Sequence, residues 1–110
     1  RLRSAILERA LLVIAGSIRI DAAMREELTS TAIEVVRELR KQVGCSYVGL
    51  SADLEDPSLL HLFQIWDSQA ALVANLGSPQ IEAIRDHAGK LGVREMAILK
   101  YDVASVGPIA

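Results

Sequence analysis

The stretch from 59 to 66, Leu-Leu-His-Leu-Phe-Gln-Ile-Trp, limits the fold most, because it reads as a β-strand without a polar face. Leu60, Leu62, Gln64 and Trp66 fall on one side of the pleat, and His61, Phe63 and Ile65 on the other. A strand apolar on both sides needs cover on both sides, and 110 residues offer few elements to supply it. A partner subunit is the simplest source of the missing layer. Asp67 and Ser68 follow with side-chain oxygens suited to the free N–H groups of a helix beginning near Gln69. Trp66, the only tryptophan, therefore stands at a strand-to-helix junction and lines whatever space separates sheet from helix.

The remaining elements follow from hydrophobic period and turn chemistry. Leu11 to Ile20 is β-branched and apolar and reads as a first strand, with residues 1–10 as an N-terminal extension and 11–110 as one domain. Met24, Leu28, Ala32, Val35, Leu39 and Val43 recur at helical spacing, predicting a long amphipathic helix from about Ala23 to Val43. Gly44 stops it, and Cys45 to Ala52 resumes as a strand. Asp53 to Ser58 is turn-forming, which makes the next strand antiparallel to the one before. Ser78-Pro79 restarts a helix after Leu76, so the second helical region is broken. Gly92 ends it, and Val93 to Val103 reads as the last strand. The order β-α-β-β-α-β predicts an α+β, ferredoxin-like subunit with its helices on one face of an antiparallel sheet. Two such subunits packed sheet to sheet would remove the bare apolar face from water, at roughly 25 cal/mol per Å² of apolar surface.

Composition narrows the partners. A formal net charge of −2 with scattered basic residues leaves no footprint for nucleic acid. The longest apolar run, Ala10 to Gly16, is too short to span a bilayer, so no membrane partner is expected. One cysteine, Cys45, cannot form an internal disulfide, and two histidines without clustered cysteines do not suggest a metal site. These features read as a cytoplasmic protein without metal, and no glycine-rich phosphate loop points to a flavin or nicotinamide cofactor.

Several short runs together carry a family resemblance. Ile14-Ala15-Gly16-Ser17-Ile18-Arg19-Ile20, Arg25-Glu26-Glu27-Leu28, Gly44-Cys45, Glu55-Asp56-Pro57 and Gln64-Ile65-Trp66-Asp67-Ser68 with Ala71-Leu72 resemble the antibiotic biosynthesis monooxygenase domain, from about Leu11 to Val103. The resemblance implies a dimeric α/β barrel of two ferredoxin-like subunits, with a pocket between each sheet and its helices. It also implies oxidation of a small hydroxylated aromatic or quinol by molecular oxygen, the substrate supplying the electrons and no cofactor being needed. The alternative is a non-catalytic, small-molecule-binding or stress-associated dimer of the same fold.

The departures from the family pattern matter as much. Asn75 and Gln80 stand where quinol-type members often carry histidine, and an amide is no base near neutral pH. The polyketide-oxidising branch has an asparagine four residues before the tryptophan and a tyrosine six after it; this chain has Leu62 and Leu72. The haem-degrading branch would need its asparagine, tryptophan and iron-binding histidine where Gly16, Asn75 and Arg85 stand, and His87 lies on another helical face from Arg85. No catalytic residue is assigned. The expected substrate-binding set is Trp66, Asn75, Leu62, Gln64, Leu72, His87 and Arg85, framing a pocket between the sheet and the second helical region. Each has a plainer reading: Trp66 as core, Asn75 as a cap for the helix break, Arg85 and His87 as solvated helix residues. His61, on the Phe63 and Ile65 face, reads as an interface or hydrogen-bonded histidine, with substrate contact as the second possibility.

Overall fold

The computed structural model describes residues 11–110, so the N-terminal extension expected over 1–10 lies outside the described residues. Four strands, β1 (Leu12–Ile20), β2 (Cys45–Ala52), β3 (Leu59–Trp66) and β4 (Val93–Asp102), form one sheet in the order β2-β3-β1-β4. Every neighbouring pair is antiparallel. Three helices complete the domain: α1 (Arg25–Lys41), α2 (Gln69–Leu76) and α3 (Pro79–Lys90). This is the ferredoxin-like α+β arrangement the element order predicts.

The helix ends are set by local chemistry. The Asp21 side chain accepts from the Ala23 N–H, so a short 3₁₀ turn (Ala22–Met24) comes before α1 and delays its start to Arg25. At the other end Gln42 is extended, and Val43, expected on the apolar stripe, is 92% exposed. Gly44 then takes a φ of 85°, a left-handed conformation that turns the chain into β2. A Cβ there would also meet that of Ala71 at 2.4 Å. Ser68 and Ser78 cap α2 and α3 through the N–H groups of Ala71 and Ile81, and Pro79 occupies the first turn of α3.

All three helices cover one face of the sheet. Leu39 of α1, Leu72 of α2 and Ile81 of α3 pack on Leu12, Val48 and Trp66, forming the main core. A second cluster joins Ile18 and Ile20 to Leu28, with Leu60, Leu62 and Ile98 beside it. Alternation sends Tyr47, Phe63, Leu99 and Tyr101 to the opposite face, where all four stay substantially exposed. Gly16 lets β1 and β4 draw together, because a Cβ there would lie 2.1 Å from the carbonyl oxygen of Ala97.

Candidate functional site

The space beside Trp66 is filled. Trp66 has no exposed surface, and its indole N–H donates to Oε1 of Gln64 at 2.8 Å, so the buried amide satisfies the ring's only donor. Leu72 closes over it from α2. Asn75 follows one turn later, 3% exposed, and its Oδ1 has no hydrogen-bond partner among the described residues. The structure thus brings Trp66, Gln64 and Leu72 together, with Asn75 buried one turn further along α2. Arg85 and His87 stand apart on the exposed side of α3, where Arg85 donates to the Leu76 carbonyl at 3.4 Å.

An open cavity of about 830 Å³ lies elsewhere, between α1 and the β2–β3 hairpin. One stripe of α1 walls it: Arg25, Leu28, Thr29, Ala32, Ile33, Val36, Arg37 and Arg40, the spacing of a single helical face. The sheet contributes Leu50, Leu60 and Leu62 from its helix-covered face and Tyr47, Gly49, Ser51, His61 and Phe63 from the other. Because β2 is an edge strand, residues of both faces can meet there, and the cavity reaches round the edge. Leu62 is the member of the expected set that lines it. The room beneath α1 arises from short side chains: Thr29, Ala32 and Ala52 leave a gap where larger ones would fill it.

The chemistry at this cavity centres on His61. Its Nε2 lies 2.8 Å from Oδ1 of Asp53, at the start of the turn between β2 and β3. An ionised carboxylate has no proton to give, so Nε2 of the neutral ring donates and Nδ1 is left as the acceptor. Asp53 is itself fixed, its Oδ2 accepting the backbone N–H groups of Glu55 and Asp56. The His61 contact first, and those two N–H bonds next, hold the Asp53 carboxyl down to a pKa of about 2. Tyr47 and Phe63 meet edge to face, with ring centres 6.0 Å apart, and form an aromatic wall on the same side as His61. Cys45 is not part of this set; burial pushes its thiol up and away from reactivity.

The sequence held signals for this second site. The hairpin register pairs Ser51 with His61, which carries Asp53 back beside the imidazole. Arg25, Arg37 and Arg40 share their helical face with Thr29 and Ala32, a small-residue stripe beside the apolar one. The first signal needs register between two strands and the second only the period of α1, whereas Trp66 announces itself by size.

Comparison with known proteins places the chain. A family model described as antibiotic biosynthesis monooxygenase matches residues 11–87. The chain belongs to that family. Among solved structures, a candidate antibiotic biosynthesis monooxygenase from Deinococcus radiodurans is similar at 21% identity, with a TM-score of 0.84 over 90% of this chain and 98% of that one. Another candidate, from Caulobacter crescentus, shares 12% identity with a TM-score of 0.82, covering 96% of this chain and 100% of its own. SnoaB, a cofactor-independent oxygenase from Streptomyces nogalater solved as a mutant, shares 12% identity with a TM-score of 0.79 over 90% and 98% of the two chains. At such identities the likeness establishes the fold. No curated protein matches the sequence. Among the described residues no group of three or more His, Cys, Asp or Glu side chains is disposed to hold a metal ion. Nor is any helix among them long and apolar enough to cross a membrane.

Proposed function

We propose that this member of the antibiotic biosynthesis monooxygenase family oxidises a small hydroxylated aromatic, a phenol or quinol, with molecular oxygen, without a cofactor and with His61 as general base. The single observation that carries the reading is His61, which lines the cavity and is held from behind by Asp53. A phenol is hard to oxidise until it loses its proton, and a histidine oriented by a carboxylate is a suitable acceptor. The phenolate then gives one electron to O₂, the radical pair combines as a ring peroxide anion, and cleavage of its O–O bond with departure of the ring hydrogen as hydroxide leaves the quinone. His61 returns its proton to that hydroxide, so one phenol and one O₂ yield one quinone and one water. Tyr47 and Phe63 offer an aromatic wall for the substrate, and Leu50, Leu60 and Leu62 an apolar floor.

A homodimer completes this reading. Tyr47, Phe63, Leu99 and Tyr101 leave an exposed apolar face opposite the helices, and a second copy laid across it would also cover the open side of the cavity near Phe63. Sedimentation should then give a mass near twice 11.9 kDa. A cytoplasmic setting fits the single free thiol of Cys45.

Oxygen uptake with a panel of hydroquinones tests the activity. The wild type should exceed buffer autoxidation, and His61→Asn, which can still bond Asp53, should lose about 10²-fold or more of the rate at unchanged melting temperature. A wild-type rate equal to autoxidation rejects the enzyme. That result would favour the non-catalytic binding dimer, the reading supported by amides at Asn75 and Gln80 in place of the histidines frequent in quinol-type relatives.

A further inference from the structure

On the sheet face turned away from the helices, the register of the β2–β3 hairpin sets His61 between two neighbours of different kinds. Tyr47, Gly49, Ser51 and Asp53 alternate onto that face from one side, and Ile65, Phe63 and His61 from the other. Ser51 pairs directly with His61, and the ladder runs one step further to the Asp53 N–H, which donates to the Leu59 carbonyl at 3.0 Å. Asp53 and Gly49 are therefore the two diagonal neighbours of His61 along β2. Asp53 takes the Nε2 side of the imidazole. Gly49 has no side chain, and the Tyr47 ring lies across it instead: a Cβ there would stand 2.8 Å from the Tyr47 hydroxyl oxygen and 3.2 and 3.3 Å from Cε2 and Cζ. Phe63, paired with Gly49, meets the same ring edge to face. Among the described residues no hydrogen bond takes up the Tyr47 hydroxyl. Glycine inside a strand weakens it, so a glycine under a tyrosine ring marks a close approach that the sheet itself does not need.

We propose that Tyr47 is a second catalytic residue, its hydroxyl donating a hydrogen bond to the phenol oxygen that His61 deprotonates, and that Gly49 is the positioning residue that seats its ring. This rests on His61 being the base of the reading above. Diagonal neighbours on an antiparallel pair stand about 7–8 Å apart at Cβ. The imidazole spans part of that distance, and one oxygen atom hydrogen-bonded to both groups, at about 2.8 Å each, closes the rest. In the step the phenol O–H bond breaks, an N–H bond forms at Nδ1, and the electron pair stays on the phenol oxygen. Tyr47 keeps its own proton throughout. A hydrogen bond to an ionised acceptor is about twice as strong as one to a neutral acceptor, so this donor favours phenolate over phenol, the form that gives an electron to O₂.

Para-nitrophenol, whose anion is yellow and which O₂ does not oxidise, reads this step apart from the oxidation. Titrated with wild-type protein at a pH where the free probe is mostly protonated, it should turn yellow on binding, the phenolate being held about tenfold or more tightly than the phenol. Tyr47→Phe should lose about fivefold or more of that preference, yet bind para-nitroanisole, which has no hydroxyl to ionise, within about twofold of wild type. Gly49→Ala should lose as much, because the added methyl displaces the ring. Adding Gly49→Ala to Tyr47→Phe should cost little more, the non-additivity expected of two residues that act through one hydroxyl. Tyr47→Phe keeps the ring and its contact with Phe63, so the test stands even if Gly49→Ala fails to fold. A phenolate preference unchanged in Tyr47→Phe, an equal loss for para-nitroanisole, additive losses, or no binding of para-nitrophenol overturns the proposal. Oxygen uptake with the hydroquinones reports separately on the oxidation. A Tyr47-dependent phenolate preference without uptake removes the monooxygenase reading and keeps the role of Tyr47, and uptake at an unaltered rate in Tyr47→Phe does the reverse.

Discussion

Around Trp66 the sheet and its helices close completely, whereas along α1 the same sheet leaves an open cavity; the difference lies in side-chain size, not in backbone plan. On the first side a tryptophan, two leucines and Ile81 interlock, and Gln64 satisfies the one buried donor. On the second, Thr29 and Ala32 of α1 and Ala52 of β2 are short, so helix and hairpin stand apart with arginines at the rim. The largest ring in the chain marks where there is no room. The smaller cluster of Ile18, Ile20 and Leu28 forms the floor of the open side, so unfilled volume and packed core adjoin there.

The comparison breaks most readily at Trp66. Trp66→Ala should lower the unfolding free energy by about 3–5 kcal/mol, the range for emptying a buried aromatic site. Trp66→Phe should retain most of the stability, because much of the apolar contact survives. On the cavity side Ile33, which is half-exposed, should cost under about 1 kcal/mol as Ile33→Ala. Urea titrations of the three variants check the contrast, and comparable losses at Trp66 and Ile33 would mean that both sides are packed alike.

Much of this architecture was legible in the residues. The period of two in β3, the stripe of α1, Gly44 and the Ser78-Pro79 restart each report a local constraint, and local constraints are what a sequence displays. The boundaries that moved, at Ala23 and Val43, did so because Asp21 takes the first turn for a 3₁₀ geometry and Gln42 leaves the helix early. The site was harder. The seam follows from alternation plus one helical turn: Trp66 packs with Leu72 and bonds Gln64, and Asn75 is buried one turn beyond Leu72. Whether a meeting place is filled or hollow depends on the volumes brought against it from elsewhere, here from Leu39 and Ile81 on one side and Ala32 and Ala52 on the other. His61 and Asp53 are eight residues apart and become a pair only through the hairpin register.

Filling the cavity sharpens the comparison further. Ala32 sits mid-stripe on α1 and lines the open space, so Ala32→Phe should project its ring into the cavity. Stability should change by no more than about 1 kcal/mol, since the loss of helix propensity is offset by new apolar contact. Oxygen uptake with the hydroquinone panel should fall about tenfold or more. A variant that turns over as well as wild type would place the substrate outside the α1 cavity and return attention to the seam beside Trp66.

The smallest effect concerns the seam itself. Asn75 is 3% exposed and its Oδ1 lacks any hydrogen-bond partner among the described residues, an arrangement that costs about 1–3 kcal/mol for an amide withdrawn from water. Leucine is near enough in volume to enter the site with modest repacking, so Asn75→Leu removes that cost at the expense of some steric adjustment. The net change in unfolding free energy should stay within about 1 kcal/mol and tend toward stabilisation. Thermal and urea unfolding of Asn75→Leu measure it directly. A loss above about 2 kcal/mol would show instead that the amide is satisfied in solution by a bound water or a small ligand. The space beside Trp66 would then be a second polar pocket rather than a sealed core, and the division between a closed side and an open one would have to be redrawn at Asn75.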